Sequence, residues 1–178
     1  MTSYKLPSIA SVSSLPTEAR AAILDALFEP CVALHTLSVE LLQTQKFKSY
    51  DDLVADIGVQ LTELAESSST SDAEWLEKIL GAHPRLGAKK VDSAQSQAEQ
   101  AQLNTGGAEE ADQLRQLNEE YERTFPGLRY VVFVNGRSRS VIMDDMRQRM
   151  ARSDAKAEKA AAIRAMCEIA ADRARKLT

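Results

Sequence analysis

Apolar residues recur at three- and four-residue spacing along most of the chain, which is the pattern of amphipathic helices. The pattern is clear at Leu53, Ile57, Leu61 and Leu64, a series that follows Ser49, and serine is a favoured helix N-cap. Similar stripes predict helices over residues 17–29, 31–44, 50–66, 72–80, 108–125 and 138–151 and from 153 onward, and a polar stretch rich in alanine and glutamine predicts a weak helix over 92–104. We therefore predict an all-α fold, a single-domain helical bundle of about eight helices that spans residues 1–178. Within it, Thr17 and Ser153 are expected helix caps.

Two segments depart from this helical pattern. Residues 1–14 are rich in serine, and we expect them to be loosely ordered. Tyr130 to Val134 is a run of β-branched and aromatic residues of the kind found in strands. No partner strand is evident, and one strand is not stable alone. The sequence therefore predicts one extended buried segment near residues 130–134 inside a helical protein.

Composition and charge exclude several classes of protein. Apolar residues make up 44% of the chain and charged residues 27%, which is ordinary for a soluble domain. The net charge of -4 offers no basic surface for nucleic acid, and no apolar run approaches the ~20 residues that span a bilayer. The last four residues, Arg175-Lys176-Leu177-Thr178, are close to a peroxisomal targeting signal but do not complete one, so a peroxisomal location is the alternative without a clear C-terminal signal. We expect a cytoplasmic protein with no nucleic-acid or membrane partner.

The residues that commonly bind metals are few and scattered. The chain has two histidines, His35 and His83, and two cysteines, Cys31 and Cys167, with no CxxC or HxxxH spacing. A zinc or iron site made by the protein is therefore not expected. Two isolated thiols also fit a reducing compartment.

His83 has the sequence context of a reactive histidine. It follows the predicted helix stop at Gly81 and precedes Pro84, which disfavours helical geometry at His83. An imidazole fixed in such a loop can face a ligand, and it titrates near neutral pH, which suits proton transfer. The alternative is an ordinary histidine in a turn.

Arg149 falls on an apolar stripe with Ile142 and Met146. An arginine in such a stripe must extend to solvent, form an ion pair or bind an anion, and its guanidinium is shaped for a carboxylate. Ser96, Glu99 and Gln100 lie in a helix too polar for ordinary core packing, and Ser96 and Glu99 share a face. The alternative for this helix is a solvated surface.

Five short motifs occur in order along the chain. They are His83-Pro84-Arg85-Leu86-Gly87, Ser96-Gln97-Ala98-Glu99-Gln100, Leu117-Asn118-Glu119-Glu120-Tyr121, the Tyr130–Val134 run and Arg149-Met150. Together they resemble the 2-oxo-4-hydroxy-4-carboxy-5-ureidoimidazoline (OHCU) decarboxylase family, with its His-Pro-x-Leu and Ser-x-x-Glu-Gln boxes. Arg85 departs from the pattern, because many members carry aspartate there.

The resemblance implies an enzyme without a cofactor that converts OHCU, a small anionic ureido-imidazoline, to (S)-allantoin and carbon dioxide in urate breakdown. It also implies a homodimer. His83 would be the catalytic acid/base, Glu99 would orient the substrate or hold His83 in its working protonation state, and Arg149 would bind a substrate oxygen. The other expected substrate-binding residues are Pro84, Ser96, Gln100, Tyr130, Val131, Val132, Phe133 and Val134.

Two other hypotheses stand beside this one. A helical lyase or hydrolase acting on another ureide would keep the His83–Glu99–Arg149 cluster, and the Arg85 departure supports this alternative. A non-catalytic helical interaction module would use the alanine-rich C-terminal helix to bind a partner, with His83 and Arg149 exposed and far apart.

Overall fold

The computed structural model describes residues 4–88, 90–101, 103 and 106–178. This part of the chain forms eight α-helices and a short 3₁₀ helix, Ile9–Ser14, with no strand, which confirms the predicted all-α fold. The α-helices are α1 (Thr17–Phe28), α2 (Val32–Thr44), α3 (Tyr50–Glu66), α4 (Thr70–Leu80), α5 (Ala94–Gln100), α6 (Ala108–Thr124), α7 (Arg139–Arg152) and α8 (Ala155–Leu177).

The helix boundaries follow local capping chemistry. The side chains of Ser49 and Ser138 accept backbone hydrogen bonds and cap α3 and α7, as predicted. Two predicted caps are wrong. Asp154 rather than Ser153 caps α8, because Ser153 has the left-handed conformation that ends α7. Thr17 is the first residue of α1 rather than its cap.

The long helix α8 organises the bundle. It packs against α3, α1 and α4, while α6 packs against α7 and α1 against α2. Its buried residues include Ile163, Met166 and Ala170, which meet fully buried side chains such as Leu24 and Ile57 in one hydrophobic core. The C-terminal half of α8 is thereby fixed beside α1, and this fixes the polar side chains that α8 carries there.

The N-terminal segment is more ordered than the sequence indicates. The amide of Leu6 donates to the carbonyl of Leu177 at 2.8 Å, and Val12 is buried in the 3₁₀ helix, which packs on α2. The expectation of a loosely held segment is therefore wrong for residues 4–14, because two apolar side chains anchor it. Residues 1–3 lie outside the described residues.

The predicted helix over 92–104 is shorter in the structure, as α5, and residues 102 and 104 of that prediction lie outside the described residues. The extended segment near residues 130–134 is confirmed: it has neither helical nor strand structure, and Tyr130, Val131 and Val134 are buried. Within the described ranges no single helix is long and apolar enough to cross a membrane. Only α1 and α2 taken together pass by length and composition, and they are bent by 119°.

Candidate active site

A cavity of about 230 Å³ lies between the loop after α4, helix α5, the extended segment and the C-terminal half of α8. Its wall contains all the predicted site residues except Arg149: His83, Pro84, Ser96, Glu99, Gln100, Tyr130, Val131, Val132, Phe133 and Val134. Residues that were not predicted also line it, among them Asp172 and Lys176 of α8. The fold thus gathers four separate stretches of sequence around one small space.

The loop after α4 holds His83 rigidly in the wall of this cavity. Arg129 donates from Nη1 to the carbonyls of Gly81, at 2.9 Å, and His83, at 2.7 Å, which fixes the backbone on both sides of the turn. The His83 side chain is buried, with 5% of the residue exposed. Its Nε2 atom has no hydrogen-bond partner among the described residues. A buried imidazole nitrogen without a partner is poised to meet a ligand.

The surroundings of His83 favour the neutral imidazole. Burial and the charge of Arg173 together lower the pKa of His83 to about 4, against the opposing effect of the Glu29 carboxylate. Near neutral pH the side chain therefore carries no charge and can accept a proton.

Glu99 is held in the cavity wall by an arginine that the sequence analysis missed. Arg173 of α8 donates from Nε to Oε1 of Glu99 at 2.7 Å and from Nη2 to Oε2 at 2.9 Å, in the two-pronged geometry of strong guanidinium–carboxylate pairs. Arg173 is 2% exposed, whereas the Glu99 side chain keeps 21% exposure. The pair leaves Glu99 as a fixed carboxylate whose remaining lone pairs can accept hydrogen bonds from a ligand.

Arg173 also contacts a second buried carboxylate, that of Glu29. Its Nη2 lies 2.7 Å from Oε1 of Glu29, and the Ser96 and Ser93 hydroxyls donate to the same oxygen. Burial would raise the pKa of Glu29, but the charge of Arg173 and the hydrogen bond from Ser96 hold it below its usual value. Glu29 and Glu99 are thus two carboxylates bridged by one guanidinium.

Gln100 joins α5 to the histidine loop. Its Oε1 accepts from the amide of Gly87 at 2.9 Å, which leaves its side-chain NH₂ as the group available to a ligand. On the opposite wall, no hydrogen bond to the backbone N–H groups of residues 131–134 is present within the described part of the chain.

Comparison with known protein families bears on this arrangement. A family model described as OHCU decarboxylase matches residues 13–175, which is nearly the whole chain. The chain belongs to the OHCU decarboxylase family. This is a family of carboxy-lyases, and the matched range includes α1 to α7 and α8 as far as residue 175. No curated protein matches the sequence.

Arg149 is not brought to the cavity of this OHCU decarboxylase family member. Its Nε donates to both carboxylate oxygens of Glu158, at 2.6 and 2.9 Å, and its Nη1 donates to the carbonyl of Val131 at 3.1 Å. The guanidinium lies 4.6 Å from the centre of the Tyr130 ring. The lining of this cavity therefore gives no support to the predicted contact between Arg149 and substrate. The Nη2 atom of Arg149 is buried without a hydrogen-bond partner among the described residues.

The structure bears on both alternatives from the sequence. The interaction module predicts that His83 and Arg149 are exposed, whereas both are buried. Arg85 forms an ion pair with Glu122 and does not line the cavity, so its departure from the family pattern leaves the cavity wall unchanged.

Arg173 has the sequence feature that drew attention to Arg149, an arginine within an apolar helical stripe. It lies three and four residues after Ala170 and Ile169, within the apolar stripe of α8. Glu29 offered no such signal, because its place depends on the turn between α1 and α2, where its φ is 86°.

Proposed function

We propose that the protein decarboxylates OHCU to (S)-allantoin and carbon dioxide, with His83 and Glu99 as its catalytic residues. Membership of the OHCU decarboxylase family supports the reaction class. The observation that carries the proposal is the buried His83 imidazole, whose Nε2 has no partner among the described residues, in the wall of the cavity that Glu99 also lines, where Arg173 holds Glu99.

The substrate provides its own electron sink. One ring carbon bears both the carboxylate and a hydroxyl, and the neighbouring ring carbon is part of a C=N group. When the C–C bond to the carboxylate breaks, carbon dioxide leaves and the electron pair moves onto the C=N unit, giving an enol-like anion. The protein's task is then to position groups and to deliver one proton to one face of the ring.

His83 can perform that proton transfer as a relay. The neutral imidazole accepts the hydroxyl proton and becomes an imidazolium. The hydroxyl carbon becomes a carbonyl as the imidazolium returns the proton to the neighbouring carbon, which becomes the stereocentre of allantoin. One further proton, taken from solvent, neutralises the ring nitrogen. Because His83 begins neutral, it gives the carbon a proton that it first takes from the substrate.

The other groups orient the ring. Glu99, fixed by Arg173, accepts a hydrogen bond from the substrate hydroxyl or a ring N–H, and the Gln100 NH₂ donates to a ring oxygen. The Arg173 fork already binds Glu99 and Glu29, so it does not hold the substrate carboxylate in a tight pair. A carboxylate left without such a partner departs more readily, because a strong pair would stabilise the ground state.

The test is a stereochemical assay with freshly generated OHCU, in the presence of a chelator, followed by circular dichroism of the allantoin formed. We expect the wild type and the surface control Glu40→Gln to form (S)-allantoin well above the spontaneous racemic rate. His83→Gln and Glu99→Gln should lose kcat by roughly 100-fold or more while they keep the helical far-ultraviolet spectrum. A wild-type rate equal to the spontaneous rate would exclude the proposed reaction, and a fully active His83→Gln would exclude the proposed relay.

A further inference from the structure

The turn between α1 and α2 buries a carboxylate for which the mechanism above gives no role. Glu29 is 4% exposed and lies behind the cavity wall, with no part in the cavity lining. We propose that Glu29 is a positioning residue, which holds Arg173 and Ser96 in place so that the guanidinium fork presents Glu99 to the substrate. The role of Glu99 here rests on the proposed function, whereas the network of contacts does not.

The backbone at Glu29 is held in a conformation that favours glycine. Its φ of 86° and ψ of 147° lie in a region where a residue with a side chain is strained. Such strain persists only where surrounding contacts fix it. At Glu29 the strained backbone delivers a carboxylate to the interior, where three donors converge on it, and a glycine at this position would lack that carboxylate.

The hydrogen bonds make Glu29 the fixed point of the network. Ser96 donates to Glu29 and accepts from Nη2 of Arg173 at 3.0 Å, and the same Nη2 donates to Glu29 at 2.7 Å. The three groups therefore form a closed triangle. Without Glu29, the guanidinium would keep Glu99 and Ser96 as side-chain partners and a distant contact of 3.5 Å with the carbonyl of Leu27. The fork would then be free to tilt, and Glu99 would tilt with it.

The charges around Arg173 also favour a positioning role for Glu29. Arg173 is a buried cation beside His83, and a buried cation needs compensating negative charge close by. Glu99 supplies one carboxylate, but it faces the cavity, where a bound substrate competes for it. Glu29 supplies the second from the protein side, out of reach of the ligand. Arg173 can thus stay in place when Glu99 engages the substrate.

The experiment compares wild type, Glu29→Gln and Glu29→Asp, with Glu40→Gln on the exposed face of α2 as the matched control. Two quantities are measured well below the melting temperature on protein verified as folded: kcat and KM for OHCU, and the exchange rate with water of the Arg173 Nε–H, followed by nuclear magnetic resonance. The second quantity requires no turnover.

We expect Glu29→Gln to lower kcat by roughly 10- to 100-fold, the scale of a misplaced catalytic group, with KM little changed and faster exchange at Arg173. Wild-type kcat in folded Glu29→Gln, or unchanged exchange, would overturn the proposal. If Glu29→Gln does not fold, Glu29→Asp decides: its carboxylate is one methylene short, so it should also lose kcat, and wild-type kcat would overturn the proposal. If wild type fails to turn over OHCU, the proposed reaction falls, and faster exchange in the variants still supports the positioning of Arg173.

Discussion

The ion pair between Arg149 and Glu158 is expected to stabilise the fold without binding substrate. Both side chains are buried, with 6% and 2% exposure. Arg149→Met removes the cation and leaves the Glu158 carboxylate with the Tyr121 hydroxyl, at 2.8 Å, as its one remaining side-chain partner among the described residues. Breaking a buried pair on one side costs about 3–5 kcal/mol. In a chain of this size each kcal/mol lowers the melting temperature by about 2–4 °C, so we expect a fall of roughly 6–20 °C.

The assay is thermal unfolding at pH 7 of wild type, Arg149→Met, Glu158→Leu and the double variant. Arg149→Met leaves the buried Glu158 carboxylate without its cation, and Glu158→Leu leaves Arg149 with the more distant Asp145 carboxylate, at 3.6 Å, whereas the double variant removes both buried charges. The double variant should therefore lose less stability than the sum of the two single changes. An Arg149→Met protein with wild-type melting temperature and a strongly raised KM would refute this reasoning, because it would make Arg149 a substrate ligand.

Three further predictions concern single positions. Between pH 6.5 and about 4, His83 binds a proton in the unfolded chain but not in the folded chain, so wild type should lose stability as the pH falls through this range. The denaturant midpoint of His83→Gln should fall less steeply with pH over the same range. Equal slopes for the two proteins would count against a buried neutral imidazole. Gly87 has a φ of 73°, and a Cβ added there would lie 2.8 Å from Cδ2 of Leu114, so Gly87→Ala should lower stability by about 1 kcal/mol or more. It should also raise KM, because it displaces the Gly87 amide that donates to Gln100. An unchanged KM would contradict this. Ser138→Ala should lose about 1 kcal/mol in chemical denaturation as a lost N-cap, with kcat unchanged, and no loss would contradict the cap.

The helical architecture follows from the sequence because it depends on local spacing. Stripes such as Leu53, Ile57 and Leu61 predict their helices correctly, and Ser49 marks a start correctly. The error at Ser153 arises where two adjacent residues can both cap a helix, and the left-handed turn after α7 decides between them. The order of the N-terminal segment depends on a contact between Leu6 and the far end of the chain, which local spacing does not reveal.

Some parts of the candidate site could also be predicted from local sequence, and others could not. The His83 loop, α5 and the extended segment are each recognisable as short motifs, and the structure brings them to one cavity. Local sequence does not show which of the two buried arginines contacts Glu99. Arg149 and Arg173 both lie on apolar stripes, and only the packing of α7 and α8 determines that Arg149 meets Glu158 while Arg173 meets Glu99.

The most direct test of the central claim is the release of labelled carbon dioxide from OHCU that carries ¹³C in its carboxylate, measured as an initial rate with wild type and with His83→Gln. Wild type should release labelled carbon dioxide rapidly and form (S)-allantoin in equal amount, and His83→Gln should release it close to the spontaneous rate. Wild-type release no faster than the spontaneous reaction would contradict the claim that this cavity decarboxylates OHCU.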